Sequence, residues 1–297
     1  MTTRCGFVAV VGAPNAGKST LVNALVGQKV AIVAAKAQTT RARLMGIAIH
    51  GAAQILLVDT PGIFAPRRRL DRAMVAAAWD SVRDADLVAL VIDSARGMTA
   101  GVREAIARLA ARPEPRIAVL NKVDLVAKGA LLALAAETDA LLRPEAVFMV
   151  SAATGDGIAD LKAALAARVP AGPWHFPEDQ VSDATDRMLA AELTREQLYR
   201  QLREELPYDS AVETETWEDR ADGSAAIRQR ILVARDSQKG IVLGKSGARI
   251  KAIGEAARAE LAALLGRKVH LFLHVAVDPK WAEDRNLYRE LGLDWVE

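Results

Sequence analysis

The sequence predicts an α/β domain built on a mostly parallel sheet with helices on both faces, followed by a smaller α+β domain. Three observations predict this. Short apolar runs alternate with Ala/Leu/Arg/Glu-rich helical stretches up to about residue 170. A cluster of prolines (Pro170, Pro173, Pro177) then stops any helix. Beyond it the pattern changes to helix, strand, strand, helix, helix, strand.

The apolar runs "GFVAVVG", "AQILLVDT", "DLVALVID", "RIAVLNK" and "AVFMVSA" read as buried strands. Helical patterns fall at 70–85, 99–112, 127–143 and 157–168. Strands alternating with helices imply a parallel sheet that offers its ligand site at the strands' carboxyl ends. Residues 1–170 form the expected first domain, 171–183 a proline-rich linker and 184–297 the second domain with its tail. In the second domain, 184–206 reads as a helix. "DSAVETETWED" and "SAAIRQRILVARD" alternate as strands around an Asp222-Gly223 turn. "SQKGIVLGKSGARIKAIGEAARAELAALLG" reads as helix, tight loop, helix, with Ile250, Ile253, Leu261 and Leu264 on one face. "RKVHLFLHVAV" is the last strand.

Composition narrows the function classes. The chain of 297 residues is 51% hydrophobic, enough to pack two cores. No apolar run is long enough for a membrane helix, and no leader precedes the first strand, so a cytoplasmic protein is expected. A single cysteine, Cys5, excludes an internal disulfide and a cysteine-rich zinc site. Net charge is +2, but its distribution is uneven. Residues 228–268 carry ten basic and three acidic side chains, a local field suited to a polyanion. The acidic first part of the second domain is expected to face away from it. No coiled coil or other oligomer signal is read, so a monomer is the default.

"GAPNAGKS", Gly12 to Ser19, fits Gly-x-x-x-x-Gly-Lys-Ser between a strand and a helix. Gly12 and Gly17 let the backbone wrap a phosphate, with Ala13, Pro14, Asn15 and Ala16 between them and Thr20 just beyond. Amides at the helix N-terminus point at the anion. Lys18 reaches the β- and γ-phosphates, and Ser19 offers a hydroxyl to Mg²⁺. Asp59 ends a strand where it can hold Mg²⁺ through water. It opens the segment Asp59-Thr60-Pro61-Gly62-Ile63, in which Gly62 offers an amide to the γ-phosphate. In "KAQTTR", Thr39 or Thr40 can reach Mg²⁺ when a γ-phosphate is present, with Thr40 favoured. In Asn121-Lys122-Val123-Asp124, the Asp124 carboxylate can accept from the two donors of guanine's Watson–Crick edge. Adenine lacks that pair and would leave the carboxylate unpaired, which makes the discrimination steep. Ser151, Ala152 and Ala153 close the base pocket with backbone amides. The set points to GTP and GDP as ligands, with catalytic candidates Lys18, Thr40, Gly62 and Asn15.

Over roughly residues 5–170 these motifs resemble the translation-factor-related GTPases. Ile63 departs from Ras-like practice, where a glutamine orients water after the same motif. The resemblance implies that Asn15 helps hold a K⁺ that neutralises developing charge. The basic run Arg67-Arg68-Arg69 is either a solvated face or a contact for RNA or the second domain.

A second Gly-Lys-Ser occurs in "IVLGKSGARIK". It lacks the glycine five places before Gly244, and a helical pattern precedes it, so a second nucleotide site is not expected. Gly244-Lys245-Ser246-Gly247 is instead a Gly-x-x-Gly loop between two helices, in the basic stretch. That resembles a type II KH domain, whose loop clamps a single-stranded RNA backbone. Arg249 and Lys251 are further candidates for phosphate contact.

The whole chain, including "ELPYD" and "DPKWAEDRNLYRELGLDW", resembles a family of bacterial ribosome-assembly GTPases. The resemblance implies an α/β P-loop GTPase domain and a type II KH domain. It also implies binding to the 3′ end of 16S rRNA, action in 30S subunit maturation and peripheral association with the inner membrane. Two readings follow: a slow GTPase stimulated by RNA, or an RNA-binding assembly factor in which GTP is mainly an allosteric ligand.

Overall fold

The computed structural model describes residues 2–34, 40–41, 44–66, 68–202 and 206–296. Two compact units divide the chain. The first comprises Met1–Ala31, Thr40–Asp183 and Leu291–Glu297, the second Ile32–Thr39 and Ala184–Glu290.

The first unit contains strands β1 (Arg4–Gly12), β2 (Leu44–His50), β3 (Ala53–Asp59), β4 (Leu87–Asp93), β5 (Arg116–Asn121) and β6 (Val147–Met149). Its helices are α1 (Lys18–Val26), α2 (Arg69–Arg83), α3 (Ala100–Ala110), α4 (Lys128–Leu142) and α5 (Ile158–Arg168). The strand order is β2-β3-β1-β4-β5-β6, with β2 antiparallel to β3 and the other pairings parallel. Alternation along β1 explains the layers. Val8 and Val10 pack with α1 and α5 residues such as Leu21, Leu25, Leu161 and Leu165. Ala9 and Val11 pack with Ala78, Val82, Ile106, Leu109 and Leu134 from α2, α3 and α4. Both faces are dry, so these strands read as continuous apolar runs.

β2 is a strand that the sequence reading did not single out. "LMGIAIH" is short and interrupted by Gly46, and it pairs on one side with β3. Its outer side takes up the proline-rich segment, which the sequence suggested as a linker. Ile47 N–H donates to Val181 O at 2.8 Å, and Met45 N–H to Asp183 Oδ1 at 3.0 Å. Gln54, fully buried on β3, fastens the same segment. Its Oε1 accepts from the amides of His175 (2.9 Å) and Phe176 (3.1 Å), and its Nε2 donates to Phe176 O at 2.9 Å. Trp174 Nε1 donates to Ala52 O at 3.0 Å. Trp174 and Phe176 pack on Cys5, Met45, Ile47 and Leu56. Residues 171–183 are thus a strap laid along the sheet, because proline-rich chain has spare carbonyls and cannot form a helix of its own.

The second unit contains α6 (Asp186–Gln201), β7 (Ser210–Asp219), β8 (Ala225–Val233), α7 (Asp236–Leu243), α8 (Ala248–Leu265), β9 (Val269–Val277) and α9 (Arg285–Glu290). The sheet order is β7-β8-β9, antiparallel then parallel. One face packs on the helices: Ile231, Val233 and Val275 meet Leu198, Val242 and Ile253, while Ile227 and Val269 meet Leu193 and Leu261. Ile250 and Leu264 are only partly buried on the same side of α8. The Asp222-Gly223 turn forms as expected, with Asp222 Oδ1 accepting from Ser224 N–H at 3.0 Å. Among the described residues no helix is long and apolar enough to cross a membrane.

Replacing Gln54 with alanine leaves the part-buried amides of His175 and Phe176 without their acceptor. The expected loss is about 2 kcal/mol of unfolding free energy, read by urea titration of tryptophan fluorescence. A change below about 0.5 kcal/mol would show that the strap is held by packing alone.

Candidate functional site

The carboxyl ends of β1, β3, β4 and β5 and the loop after β6 gather the sequence motifs on one edge of the first sheet. β1 runs into the loop Ala13–Ala16, and α1 starts at Lys18 behind Gly17, which has φ 90°. A Cβ on Gly17 would meet Asn121 Nδ2 at 2.3 Å, so only glycine fits. Lys18 is buried and bends back over the loop, its Nζ donating to Gly12 O (3.3 Å) and Ala13 O (3.2 Å). Thr20 continues α1 and is half-buried.

Three oxygen-bearing side chains converge beside Lys18. Ser19 Oγ donates to Asp59 Oδ2 at 2.7 Å, Thr40 Oγ1 donates to the same oxygen at 3.2 Å, and the two hydroxyls lie 2.9 Å apart. All three residues are buried. Two hydroxyls and a carboxylate form a hard oxygen set that fits Mg²⁺, which takes one or two protein oxygens and leaves the rest to water and phosphate. Thr39 lies outside the described residues, as does Arg67. Thr60 turns inward, its Oγ1 donating to Val10 O at 2.8 Å. Gly62 lies so close to the phosphate loop that a Cβ would meet Pro14 N at 2.9 Å. Ile63 N–H donates to Gly12 O at 3.0 Å, and its side chain is buried in the core with Ala78 and Val82. Arg69, at the start of α2, lies 4.6 Å over the Trp295 ring.

Asn121 holds three loops together. Its Nδ2 donates to Ala16 O at 3.0 Å and its Oδ1 accepts from Ala152 N–H at 3.0 Å. Lys122 has a left-handed backbone (φ 65°) and sends its Nζ to Asn15 O at 2.7 Å and to Asp93 Oδ2 at 2.6 Å. Val123 and Asp124 begin a single 3-10 turn that leaves the Asp124 carboxylate exposed at the rim. Ser151 is buried and bonds within its own loop, its Oγ accepting from Thr154 N–H at 3.2 Å. Ala152 and Ala153 line an open hollow with Asn23 and Gln28. The amide of Ala152, one of the three residues expected to close the base pocket, donates to Asn121 Oδ1. Two supports escaped the sequence reading. Asn23 accepts from Val30 N–H (2.8 Å) and Ala31 N–H (2.9 Å) and donates to Ala31 O (2.8 Å), fixing the exit from α1. Asp93 pairs with Lys122. An acid at the end of an apolar strand was the available signal for Asp93; Asn23, a poor helix former inside α1, was the signal for the other.

The second Gly-Lys-Ser is built differently. α7 ends at Leu243, and Gly244 (φ 70°) turns the chain so tightly that a Cβ would meet Arg249 Cβ at 2.7 Å. Lys245 and Ser246 are exposed at the tip, and Gly247 N–H returns to Gly244 O at 3.2 Å. Arg249, expected at phosphate, donates from Nη1 to Ile241 O at 2.8 Å and so braces the last turn of α7. Lys251 points to solvent, 4.0 Å from Glu255. No strand feeds this loop, so it is not a second nucleotide cradle.

Family models match both parts of the chain. Residues 7–122 match the model described as 50S ribosome-binding GTPase, and residues 205–282 match the KH domain model. Fold and site thus define a phosphate-loop GTPase joined to a KH domain. GTPase Era of Erythrobacter litoralis is 60% identical over 298 residues, covering 99% of this chain and 98% of the relative. GTPase Era of Bradyrhizobium sp. (strain BTAi1) is 57% identical over 293 residues, covering 99% and 95%. The chain belongs to the Era family of GTPases. Two solved structures share its architecture, each with a TM-score of 0.91, 37% identity and coverage of 98% of this chain and 99% of the other. One is Era in complex with MgGDPNP and nucleotides 1506–1542 of 16S ribosomal RNA, the other an Aquifex aeolicus Era variant bound to GDP·AlF₄⁻.

Burial pushes the Lys18 ammonium down to about 8, with Asp59 pulling partly the other way. Its unfolded value is about 10.4. A lysine lowered in the fold costs stability below its folded pKa, and the cost is relieved as pH rises from about 8 to about 10.4. A phosphate against Nζ would restore the charge. Calorimetric GDP titrations at about pH 9, in buffers of different ionisation enthalpy, are therefore expected to show net proton uptake that fades toward about pH 7. Uptake of zero at both would contradict it.

Proposed function

We propose that this GTPase is a switch that couples GTP turnover to capture of the 3′ end of 16S rRNA during maturation of the 30S subunit. The observation that carries this reading is the presence of two different phosphate grips in one chain. One is a buried cradle closed by Ser19, Thr40 and Asp59; the other is an exposed Gly244–Gly247 turn in a basic stretch. The Era relative solved with nucleotides of 16S rRNA supports the RNA part.

In this reading Gly12–Thr20 wrap the phosphates and Lys18 balances their charge. Ser19, Thr40 and Asp59 would hold Mg²⁺. When bound, that ion neutralises charge on the phosphate oxygens. Thr40 and Gly62 sense the γ-phosphate, while Asn121–Asp124 and Ser151–Ala153 hold guanine. Gly244, Lys245, Ser246 and Gly247 bring backbone amides and one cation to the RNA chain, and Lys251 adds charge beside them. The protein works as a cytoplasmic monomer, any inner-membrane contact being peripheral.

The buried side chain of Ile63 gives no hydrogen bond to the attacking water. Intrinsic hydrolysis is therefore slow, and Asn15 with a bound K⁺, or RNA, supplies what is missing. The same observation favours a second reading, in which GTP acts mainly as an allosteric ligand. Steady-state GTP hydrolysis with and without an oligonucleotide of the 16S rRNA 3′ end separates them. The switch reading expects RNA stimulation of about tenfold or more, lost in a Gly244→Asp/Gly247→Asp variant that still binds GDP. GTP-dependent RNA binding with an unchanged hydrolysis rate would favour the second reading. Hydrolysis is also expected to be faster in KCl than in NaCl at equal ionic strength. Equal rates would remove K⁺ from the mechanism.

A further inference from the structure

We propose that Asp93 is a positioning residue for the nucleotide, holding Lys122 so that the base-reading loop and the phosphate loop act as one rigid clamp. Asp93 is the last residue of β4 and lies beside Asn121 in the parallel pairing with β5. Its carboxylate is largely buried and already oriented. Oδ1 accepts from Ala95 N–H at 3.0 Å and Arg96 N–H at 3.3 Å, closing a turn on its own backbone. That leaves Oδ2 aimed at Lys122 Nζ, 2.6 Å away. Arg96 Nε is 3.9 Å from the same oxygen, but its side chain is 62% exposed, so water screens it.

The pairing matters because of where Lys122 goes next. Its Nζ also donates to Asn15 O in the phosphate loop. Both Lys122 and Asn15 have left-handed backbones with φ 65°, a conformation that non-glycine residues hold only when their surroundings fix it. One ammonium thus bridges two strained residues, and Asp93 is the anion that keeps it there. With Oδ2 removed, the ammonium keeps only a neutral carbonyl as partner and can swing to solvent, since the side chain is 31% exposed. Asn121 links the same loops through uncharged bonds to Ala16 O and Ala152 N–H. The Asp93–Lys122 contact is the charge-assisted member of the clamp.

Asp93 therefore acts on how long nucleotide stays bound, with the chemical step left to the residues around the γ-phosphate. Asp93→Asn separates this from a purely structural role, because an asparagine Oδ1 can still accept from Ala95 and Arg96 while its amide offers Lys122 no acceptor. In the full-length protein, release of a fluorescent GDP analogue is expected to be about tenfold faster in Asp93→Asn, with single-turnover hydrolysis at saturating GTP unchanged. Lys122→Met should speed release similarly, and adding Asp93→Asn to it should speed release no further. If Asp93→Asn accelerates release as much in the Lys122→Met background as in the native protein, Asp93 acts through its own turn and the proposal is overturned. Unchanged release in Asp93→Asn overturns it as well.

Discussion

The carboxamide of Asn121 is the contact on which the first site depends. A phosphate loop is a set of backbone amides with no core of its own, and without an anion its dipoles repel one another. Its shape must come from neighbours. Asn121 supplies it by giving its N–H to Ala16 O and its carbonyl to Ala152 N–H, so one planar group fixes the spacing of loops that follow β1, β5 and β6. Gly17 is the geometric partner of that choice, since any side chain there would displace the carboxamide. The motif residue thus builds the pocket's walls.

The same economy explains why Ser19, Thr40 and Asp59 lie within hydrogen-bond reach of one another. A buried carboxylate needs donors, and the two hydroxyls provide them. The oxygens that would hold a divalent ion are thus already gathered by their own hydrogen bonds. Ile63 contributes in the opposite sense. Its burial anchors the segment after Gly62 to the core of α2, so movement of that segment is tied to repacking of apolar surface.

Much of this was legible in the sequence, and the exceptions have physical causes. Strands β1, β3, β4 and β5 were readable because burial on both faces writes an unbroken apolar run. β2 was not, because it is an edge strand broken by Gly46 and paired partly with chain far away in sequence. The roles of Asp93 and Asn23 were hidden because both act on backbone or side-chain groups that only the fold brings near. Arg249 reads as a phosphate ligand from its charge; the fold adds a second task, one Nη1 bond to Ile241 O that depends on how sharply Gly244 turns. The two Gly-Lys-Ser triplets were separable in advance because spacing to the upstream glycine, not the triplet, carries the geometry.

The strap of residues 171–183 bears on where the first domain can be cut from the rest. A fragment ending at residue 170 would keep every motif of the nucleotide site and still lose the cover of β2. It would bare the amides of Met45 and Ile47 together with an apolar patch of Met45, Ile47 and Leu56, a ready template for pairing with another copy. A bared apolar edge of this kind favours self-association of the fragment. One carried through Asp183 would keep that edge closed and would lack only the first unit's C-terminal piece, Leu291–Glu297.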